Sequence, residues 1–138
     1  MARQLPDWMA DHLKRYLESD GEDGHLWNGV ATLLLTTTGR KSKQAVQIPL
    51  IYGAIDDRFV IVASKGGHTH HPAWYLNLDA DPKVAVQVAA DKFTATARTA
   101  HGEERACLWG EMASIFPNYN EYQAKTDREI PVVVLERD

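Results

Sequence analysis

The pattern of apolar and polar residues along the chain predicts a protein built mainly from β-strands. Apolar runs occupy residues 31–38, 46–52 and 58–64, and a last run covers residues 130–136. Between them, residues 84–88 and 93–98 alternate apolar and polar side chains. Strict alternation is typical of half-buried strands, and short apolar runs between turn residues are typical of buried ones. We therefore expect about six strands, most of them antiparallel.

Three segments have the spacing of helices instead. Residues 1–20 form an amphipathic segment that ends at Asp20-Gly21, and its acidic polar face favours packing on the core over a membrane contact. A short helix is expected over residues 72–78, and a longer one begins at Gly102 and stops at Pro117. Helices that interrupt a run of strands with short turns fit an α+β fold, a barrel of antiparallel strands with helices packed outside, in one domain over residues 1–138.

Two local signals refine the strands. Asp56-Asp57 lies between two apolar runs and predicts a hairpin turn. Pro49 lies inside a run and cannot donate a backbone hydrogen bond, so it predicts an edge strand or a bulge.

The charge balance excludes several classes of partner. The formal net charge is -4 and the sequence pI is about 5.8, which disfavours binding to nucleic acid or to anionic lipid. Cys107 is the single cysteine, so no disulfide can form within the chain. No apolar run is long enough to span a membrane, and the first twenty residues lack the features of a signal peptide. We expect a cytoplasmic protein without stable membrane insertion.

A basic loop stands out against this acidic background. The apolar run that ends at Thr38 is followed by Gly39, Arg40, Lys41, Ser42 and Lys43. Gly39 can adopt a positive φ, the cations supply charge, and Ser42 supplies a hydroxyl donor, so the loop is suited to an anion. The alternative interpretation is an ordinary solvated turn.

Other candidate chemistries are weaker. His68, His70 and His71 invite a metal site, but neighbouring residues point apart in an extended chain, so hydrogen-bond donation near a helix start is the better interpretation. No serine lies in a nucleophile-elbow motif, and Cys107 on an apolar helix is expected to have a packing role. Tyr119 and Tyr122 could offer flat faces and hydroxyls to a planar ligand, or could simply cover the barrel rim.

Four motifs in order make the chain resemble the deazaflavin-dependent nitroreductase family. They are Thr-Thr-Gly-Arg-Lys-Ser from Thr37, Ser-Lys-Gly-Gly from Ser64, His-Pro-Ala-Trp-Tyr-Leu-Asn-Leu from His71, and Thr-Asp-Arg-Glu-Ile-Pro-Val from Thr126. The resemblance covers nearly the whole chain after Gly24. It implies a split β-barrel like that of flavin reductases and pyridoxamine-phosphate oxidases, with reduced coenzyme F-420 as hydride donor.

The resemblance also assigns roles to individual residues. The anionic groups of the coenzyme would be held by Arg40, Lys41, Ser42 and Lys43, where Lys43 replaces the glycine usual in the family. The ring would be lined by Pro49, Ala63, Ser64 and Lys65, with close approach allowed by Gly66 and Gly67. The other side of the pocket would be closed by His71, Trp74, Tyr75 and Asn77. Substrate would face Tyr52, Tyr119 and Tyr122, and the candidate catalytic hydroxyls are those of Tyr119, Tyr122 and Ser64, with water as the alternative proton source.

These implications amount to an oxidoreductase that passes a hydride from reduced coenzyme F-420 to a small electron-poor molecule, such as a quinone, an activated alkene or a nitro compound. Two alternatives stay open at the level of sequence. One is a reductase of the same fold that uses FMN, and the other is a carrier that binds the deazaflavin without catalysis. Either a monomer or a homodimer is compatible with the sequence.

Overall fold

Eight antiparallel strands form one curved sheet in the computed structural model, which describes residues 7–27, 29–64, 67 and 70–138. The strands are β1 (Leu26–Trp27), β2 (Val30–Thr38), β3 (Ala45–Ile51), β4 (Gly53–Ile55), β5 (Arg58–Val62), β6 (Lys83–Val88), β7 (Asp91–Thr99) and β8 (Val132–Arg137). The helices are α1 (Asp7–Ser19), α2 (Ala73–Ala80), α3 (Gly102–Ile115) and α4 (Asn118–Ala124).

The sheet curls into a half-barrel, which confirms the expected split β-barrel. Its strand order is β1-β2-β6-β7-β8-β5-β4, and β3 pairs with β2 off that path. The two strands beyond the six predicted are β1 and β4, with only two and three residues, too short to show a period in the sequence. Pro49 lies on β3, whose ladder partner is β2, so the expected edge position is confirmed for the strands that the structure describes.

Alternation along each strand separates two apolar clusters. Leu33, Leu35, Ile61 and Val133 fill the interior of the half-barrel. Val60, Val62, Val132 and Val134 face outward and are covered by Leu108, Met112 and Tyr119 of α3 and α4. β5 and β8 are therefore buried on both faces over residues 60–62 and 132–135, which explains why these runs are continuously apolar.

Helix α2 differs from α3 and α4 in where it buries its apolar side chains. Trp74 and Leu78 belong to the interior cluster with Leu33 and Leu35, so α2 closes the half-barrel from inside its curve. This position brings α2 beside the turn that follows β2, and that turn is the basic loop.

Helix α1 is anchored mainly by two residues with polar groups. His12 and Tyr16 are its buried side chains; His12 Nε2 lies 2.6 Å from the Gly24 carbonyl oxygen, and the Tyr16 hydroxyl accepts from the Ala89 amide at 2.7 Å. Trp8 and Leu17 are exposed at 55% and 42%, so part of the expected apolar stripe stays outside the core. The helix ends where expected, since Gly21 has φ 87° and its amide donates to the Tyr16 carbonyl.

Candidate active site

The basic loop is a tight turn between β2 and β3. The Gly39 amide donates to the Gln44 carbonyl at 2.8 Å, and the Lys43 amide donates back to the Gly39 carbonyl at 2.9 Å. Gly39 does not adopt the positive φ that the sequence suggested, and Lys43 adopts it instead, at 61°. The turn is tight around Gly39, because a Cβ there would displace the Ser42 hydroxyl and would lie 3.3 Å from the Gln44 carbonyl oxygen. The loop thus holds a strained lysine at the position where the family resemblance expects glycine.

The cations of this loop have no carboxylate partner among the residues that the structure describes. Arg40, Lys41 and Lys43 are exposed, and no described Asp or Glu lies within 4.0 Å of them. Most of the other described cations do form such pairs, namely Lys14, Arg15, Arg58, Lys83, Lys92, Arg98, Arg105 and Arg137. In an acidic protein, this leaves one concentrated and uncompensated positive charge.

Asn77 of α2 holds the loop in place. Its Oδ1 accepts from the Arg40 amide at 3.1 Å, and its Nδ2 donates to the Thr37 hydroxyl at 3.2 Å. The side chain is 5% exposed. Because both ends of the amide are engaged inside the protein, Asn77 orients the loop. Trp74 is also buried, at 6%, so neither residue offers much surface to a ligand.

His71 and Tyr75 lie together at the start of α2. Their ring centroids are 4.9 Å apart, and the Tyr75 hydroxyl is 2.9 Å from that of Thr99 on β7. Burial lowers the pKa of His71, the nearby Arg128 charge lowers it further, and Asp79 partly opposes them. The imidazole is therefore neutral at pH 7, and His71 acts as a neutral hydrogen-bonding group.

The loop after β5 packs against the end of α4. The Ser64 carbonyl accepts from the Gly67 amide at 2.9 Å. Gly67 has φ 80°, and a Cβ there would lie 2.7 Å from the Tyr122 carbonyl oxygen, so glycine is required for this close approach. The predicted ligands Lys65 and Gly66, together with His68, lie outside the described residues.

Tyr119 and Tyr122 are not equivalent. Tyr119 is 4% exposed inside the outer cluster, and burial raises its pKa well above that of an ordinary tyrosine. Tyr122 is half-buried, and Lys125 Nζ lies 5.8 Å from the centroid of its ring. Both belong to α4, a short separate helix after Pro117 that the sequence did not predict.

Pro49 and Ala63 were predicted to line the deazaflavin ring and Tyr52 to face substrate, and the structure places the three residues differently. Tyr52 and Ala63 are buried in the interior cluster, with the Tyr52 hydroxyl 3.0 Å from His25 Nε2. Pro49 pairs with Leu34, so strand alternation points it away from the interior that Leu33 and Leu35 fill. The packing role expected for Cys107 is wrong, because this residue is exposed on α3.

Arg128 is a functional candidate that the sequence patterns did not indicate. Arg128 lies in the polar connector before β8 and donates to the Ala63 carbonyl at 3.1 Å and to the Ser64 carbonyl at 2.6 Å. Its guanidinium also lies 3.2 Å from His71 Nδ1. Asn77 therefore connects the basic loop to α2, and Arg128 connects His71 to the loop that contains Ser64.

Comparison with known proteins identifies the family. A family model described as F420H(2)-dependent quinone reductase matches residues 8–137. The chain belongs to this family. It is thus a reductase that depends on coenzyme F-420, as the resemblance predicted.

Individual relatives of this quinone reductase family agree. A protein of Mycobacterium tuberculosis (strain ATCC 25618 / H37Rv), named as an F420H(2)-dependent quinone reductase, is 41% identical over 126 residues, which are 88% of this chain and 85% of that protein. A solved structure titled as an F420-H2 dependent reductase is 43% identical, covers 76% of this chain and 93% of its own, and has a TM-score of 0.71. Another, titled as a domain-swapped dimer, is 41% identical, covers 94% of this chain and 98% of its own, and has a TM-score of 0.75.

Two further observations concern the part of the chain that the structure describes. No helix there combines the length and hydrophobicity needed to cross a bilayer. No three described His, Cys, Asp or Glu side chains are grouped so that they could ligate a metal ion.

Proposed function

We propose that this protein transfers a hydride from reduced coenzyme F-420 to a quinone. The family match and the printed names of the relatives support a quinone over the nitro compounds and activated alkenes that the sequence left open. A quinone is planar and electron-poor, and it gains a hydride and a proton on becoming a hydroquinone.

The observation that carries this proposal is the set of unpaired cations at the basic loop. Three exposed cations without a described carboxylate partner repel one another, and an anionic ligand removes that cost. Coenzyme F-420 carries a phosphate and an acidic glutamate tail, so the loop and the coenzyme are complementary in charge. The charge of the loop therefore fits the cofactor that the family uses.

Some residues at the loop bind the coenzyme, and others hold the loop in place. Reduced coenzyme F-420, when bound, supplies the hydride. Arg40, Lys41 and Lys43 hold its anionic groups. Ser42 Oγ accepts from the Gln44 amide at 3.2 Å, so its hydroxyl proton remains available for the same anion. Asn77 fixes the backbone of the loop at the Arg40 amide, and the Thr37 hydroxyl holds Asn77 in turn.

The length of α2 separates the anionic end of the ligand from its ring. Asn77, which contacts the basic loop, lies four residues after the start of α2 at Ala73, a rise of about 6 Å, and His71 lies just before the helix begins. We place the planar ring near Ser64, His71 and Tyr122, and we assign Lys65 and Gly66 to the same region on the family resemblance. Trp74 and Tyr75 support this region from α2, and Pro49 stays a prediction from the resemblance.

Tyr122 is the better of the two tyrosine candidates for handling a proton or facing substrate. A phenol has a pKa near ~10 and is already a weak acid at neutral pH. Burial raises the pKa of Tyr119 further and shields its hydroxyl from a ligand. Tyr122 is partly exposed beside the Ser64 loop, where Ser64 and solvent are the other proton sources.

The test is a reoxidation assay with a panel of acceptors. Purified protein is mixed with reduced coenzyme F-420, and reoxidation is followed after adding a quinone, an activated alkene or a nitro compound. The proposal predicts saturable binding of the coenzyme and fastest turnover with the quinone. Binding without reoxidation by any acceptor would indicate a carrier, and preferential binding of FMN would indicate the alternative cofactor.

We also propose a homodimer over a monomer. The solved structure titled as a domain-swapped dimer covers nearly all of this chain, which supports the assignment. Light scattering after size exclusion should give twice the chain mass of 15.5 kDa, whereas a mass of 15.5 kDa would contradict it.

A further inference from the structure

Arg128 joins three segments that meet where we place the deazaflavin ring, near Ser64 and His71. It lies between α4 and β8, yet its guanidinium reaches the backbone that follows β5 and the side chain of His71, two residues before α2. The Nη2 bond to the Ser64 carbonyl is 2.6 Å long, and Nη1 lies 3.1 Å from the Ala63 carbonyl. A planar group with a fixed fork of donors is suited to holding two successive carbonyls and an imidazole at once.

The bond to His71 determines where the imidazole carries its proton. A guanidinium has donors and no acceptor, so His71 Nδ1 accepts the bond at 3.2 Å and is unprotonated. A neutral imidazole with an unprotonated Nδ1 carries its proton on Nε2. No described residue forms a hydrogen bond with His71 Nε2, so this N–H is available to a ligand.

The contact with the Ala63 carbonyl fixes the direction of the next backbone amide. In a trans peptide the C=O and the following N–H point in opposite directions. Holding the Ala63 carbonyl toward Arg128 therefore turns the Ser64 amide N–H away from it. Arg128 thus orients two neutral donors, the Ser64 amide and His71 Nε2.

We propose that Arg128 is a positioning residue for the reductase reaction, which fixes the Ser64 N–H and the His71 Nε2–H as donors to carbonyl oxygens of the bound ligands. These carbonyls belong either to the deazaflavin ring or to the quinone. A donor to the quinone oxygen lowers the barrier of hydride transfer because negative charge develops there as the hydride arrives, whereas a donor to the deazaflavin carbonyl holds the ring in place. This inference rests on the proposed function, but the position of the His71 proton can be measured without turnover.

The test compares Arg128→Lys with Arg137→Lys. Lysine keeps the charge at position 128 but cannot hold both carbonyls and the imidazole in one plane. Arg137 is an exposed arginine paired with Asp91 at 3.0 Å, remote from the site, and serves as the matched control. For each protein, ¹⁵N NMR of the histidine side chains gives the tautomer of His71, a titration gives the dissociation constant of coenzyme F-420, and the reoxidation assay gives kcat and the KM for quinone.

We expect the wild type and Arg137→Lys to show His71 protonated on Nε2 alone. In Arg128→Lys, both tautomers should be present and kcat/KM should fall about tenfold, as the loss of one to two hydrogen bonds predicts. A weaker coenzyme affinity would assign the donors to the deazaflavin carbonyl, and a raised KM for quinone with unchanged affinity would assign them to the substrate.

The proposal is overturned if His71 in the wild type is protonated on Nδ1, or if Arg128→Lys leaves tautomer and kinetics unchanged. It is also overturned if Arg128→Lys lowers only the melting temperature, with kcat/KM per folded molecule intact. If the wild type bound no coenzyme F-420, the proposed function would fail, while the His71 tautomer would still decide whether the Arg128 arrangement exists.

Discussion

The cations around Glu104 and those of the basic loop show how the same residue types serve different ends. Glu104 accepts from Arg98 at 2.6 Å and from Arg58 at 3.4 Å, and Arg98 also contacts Glu136 at 3.1 Å. In the basic loop, by contrast, Arg40, Lys41 and Lys43 meet no carboxylate among the residues described. Paired cations join α3 to the sheet, whereas cations left without counterions are suited to a ligand that brings its own negative charge.

Removing one unpaired cation should have the largest effect on coenzyme binding. Lys41→Ala should weaken the affinity for coenzyme F-420 about tenfold and flatten its dependence on salt, because a charge-assisted contact is lost. Lys83→Ala removes an exposed lysine paired with Asp138 and is the matched control. Equal affinities for Lys41→Ala and wild type at low salt would contradict the role of the loop.

A carboxylate introduced beside the basic loop should form ion pairs with its cations and compete with the coenzyme. Ala45 is exposed at the start of β3, just after the loop. Ala45→Glu should weaken coenzyme binding severalfold without deleting any cation, since exposed ion pairs are modest in energy. Ala45→Gln controls for side-chain size, and an equal loss with glutamine would show that charge is not the cause.

The two tyrosines of α4 differ in the same way, because the Tyr119 hydroxyl is buried and Tyr122 is partly exposed to a ligand. Tyr122→Phe should lower kcat severalfold if its hydroxyl serves the reaction, whereas Tyr119→Phe should leave kcat nearly unchanged because that hydroxyl is buried. Steady-state kinetics with a quinone measures both. A larger loss for Tyr119→Phe would reverse the assignment.

Neutralising Glu104, which pairs with Arg58 and Arg98, should lower the stability of the fold and leave coenzyme binding unchanged. Hydrogen bonding from Arg98, aided by Arg58, lowers the pKa of Glu104 from 4.5 to about 2. A depressed carboxyl pKa contributes stability above pH 4.5, and this contribution is lost as the pH falls toward about 2. Glu104→Gln should therefore lower the melting temperature at pH 7 and flatten its decline between these values. Unchanged melting curves would contradict a stabilising role.

The smallest effect is expected at the strained position of the loop. Lys43 has φ 61°, which glycine adopts at little cost, so Lys43→Gly should relieve roughly 1 kcal/mol of strain while removing one charge. We expect a slightly higher melting temperature and a coenzyme affinity that falls less than in Lys41→Ala. A lower melting temperature would indicate that the lysine side chain stabilises the turn.

Local sequence signals predicted much of the fold because their causes are local. Asp56 and Asp57 both have positive φ in the hairpin between β4 and β5, as their turn chemistry suggested. Alternation predicted the strands β6 and β7, which pair with each other in the structure. By contrast, the burial of His12 and Tyr16 on α1 depends on partners far along the chain, such as Ala89.

The site was predicted less completely, because its central contacts are long-range. Arg128 lies between Asp127 and Glu129 in a polar connector, which is typical of a solvated arginine. Two of its partners are backbone carbonyls 64 and 65 positions earlier, and backbone groups leave no signature in a sequence. The basic loop was found because its charge is contiguous, but the assignment of positive φ to Lys43 needed the geometry of the turn.

The most direct test of the central claim is a fluorescence titration of the wild-type protein with coenzyme F-420 at several salt concentrations, run beside Lys41→Ala. An anion site at the basic loop predicts saturable binding that weakens steeply with salt in the wild type and less steeply in the variant. Absence of binding, or equal binding by both proteins at every salt concentration, would contradict it.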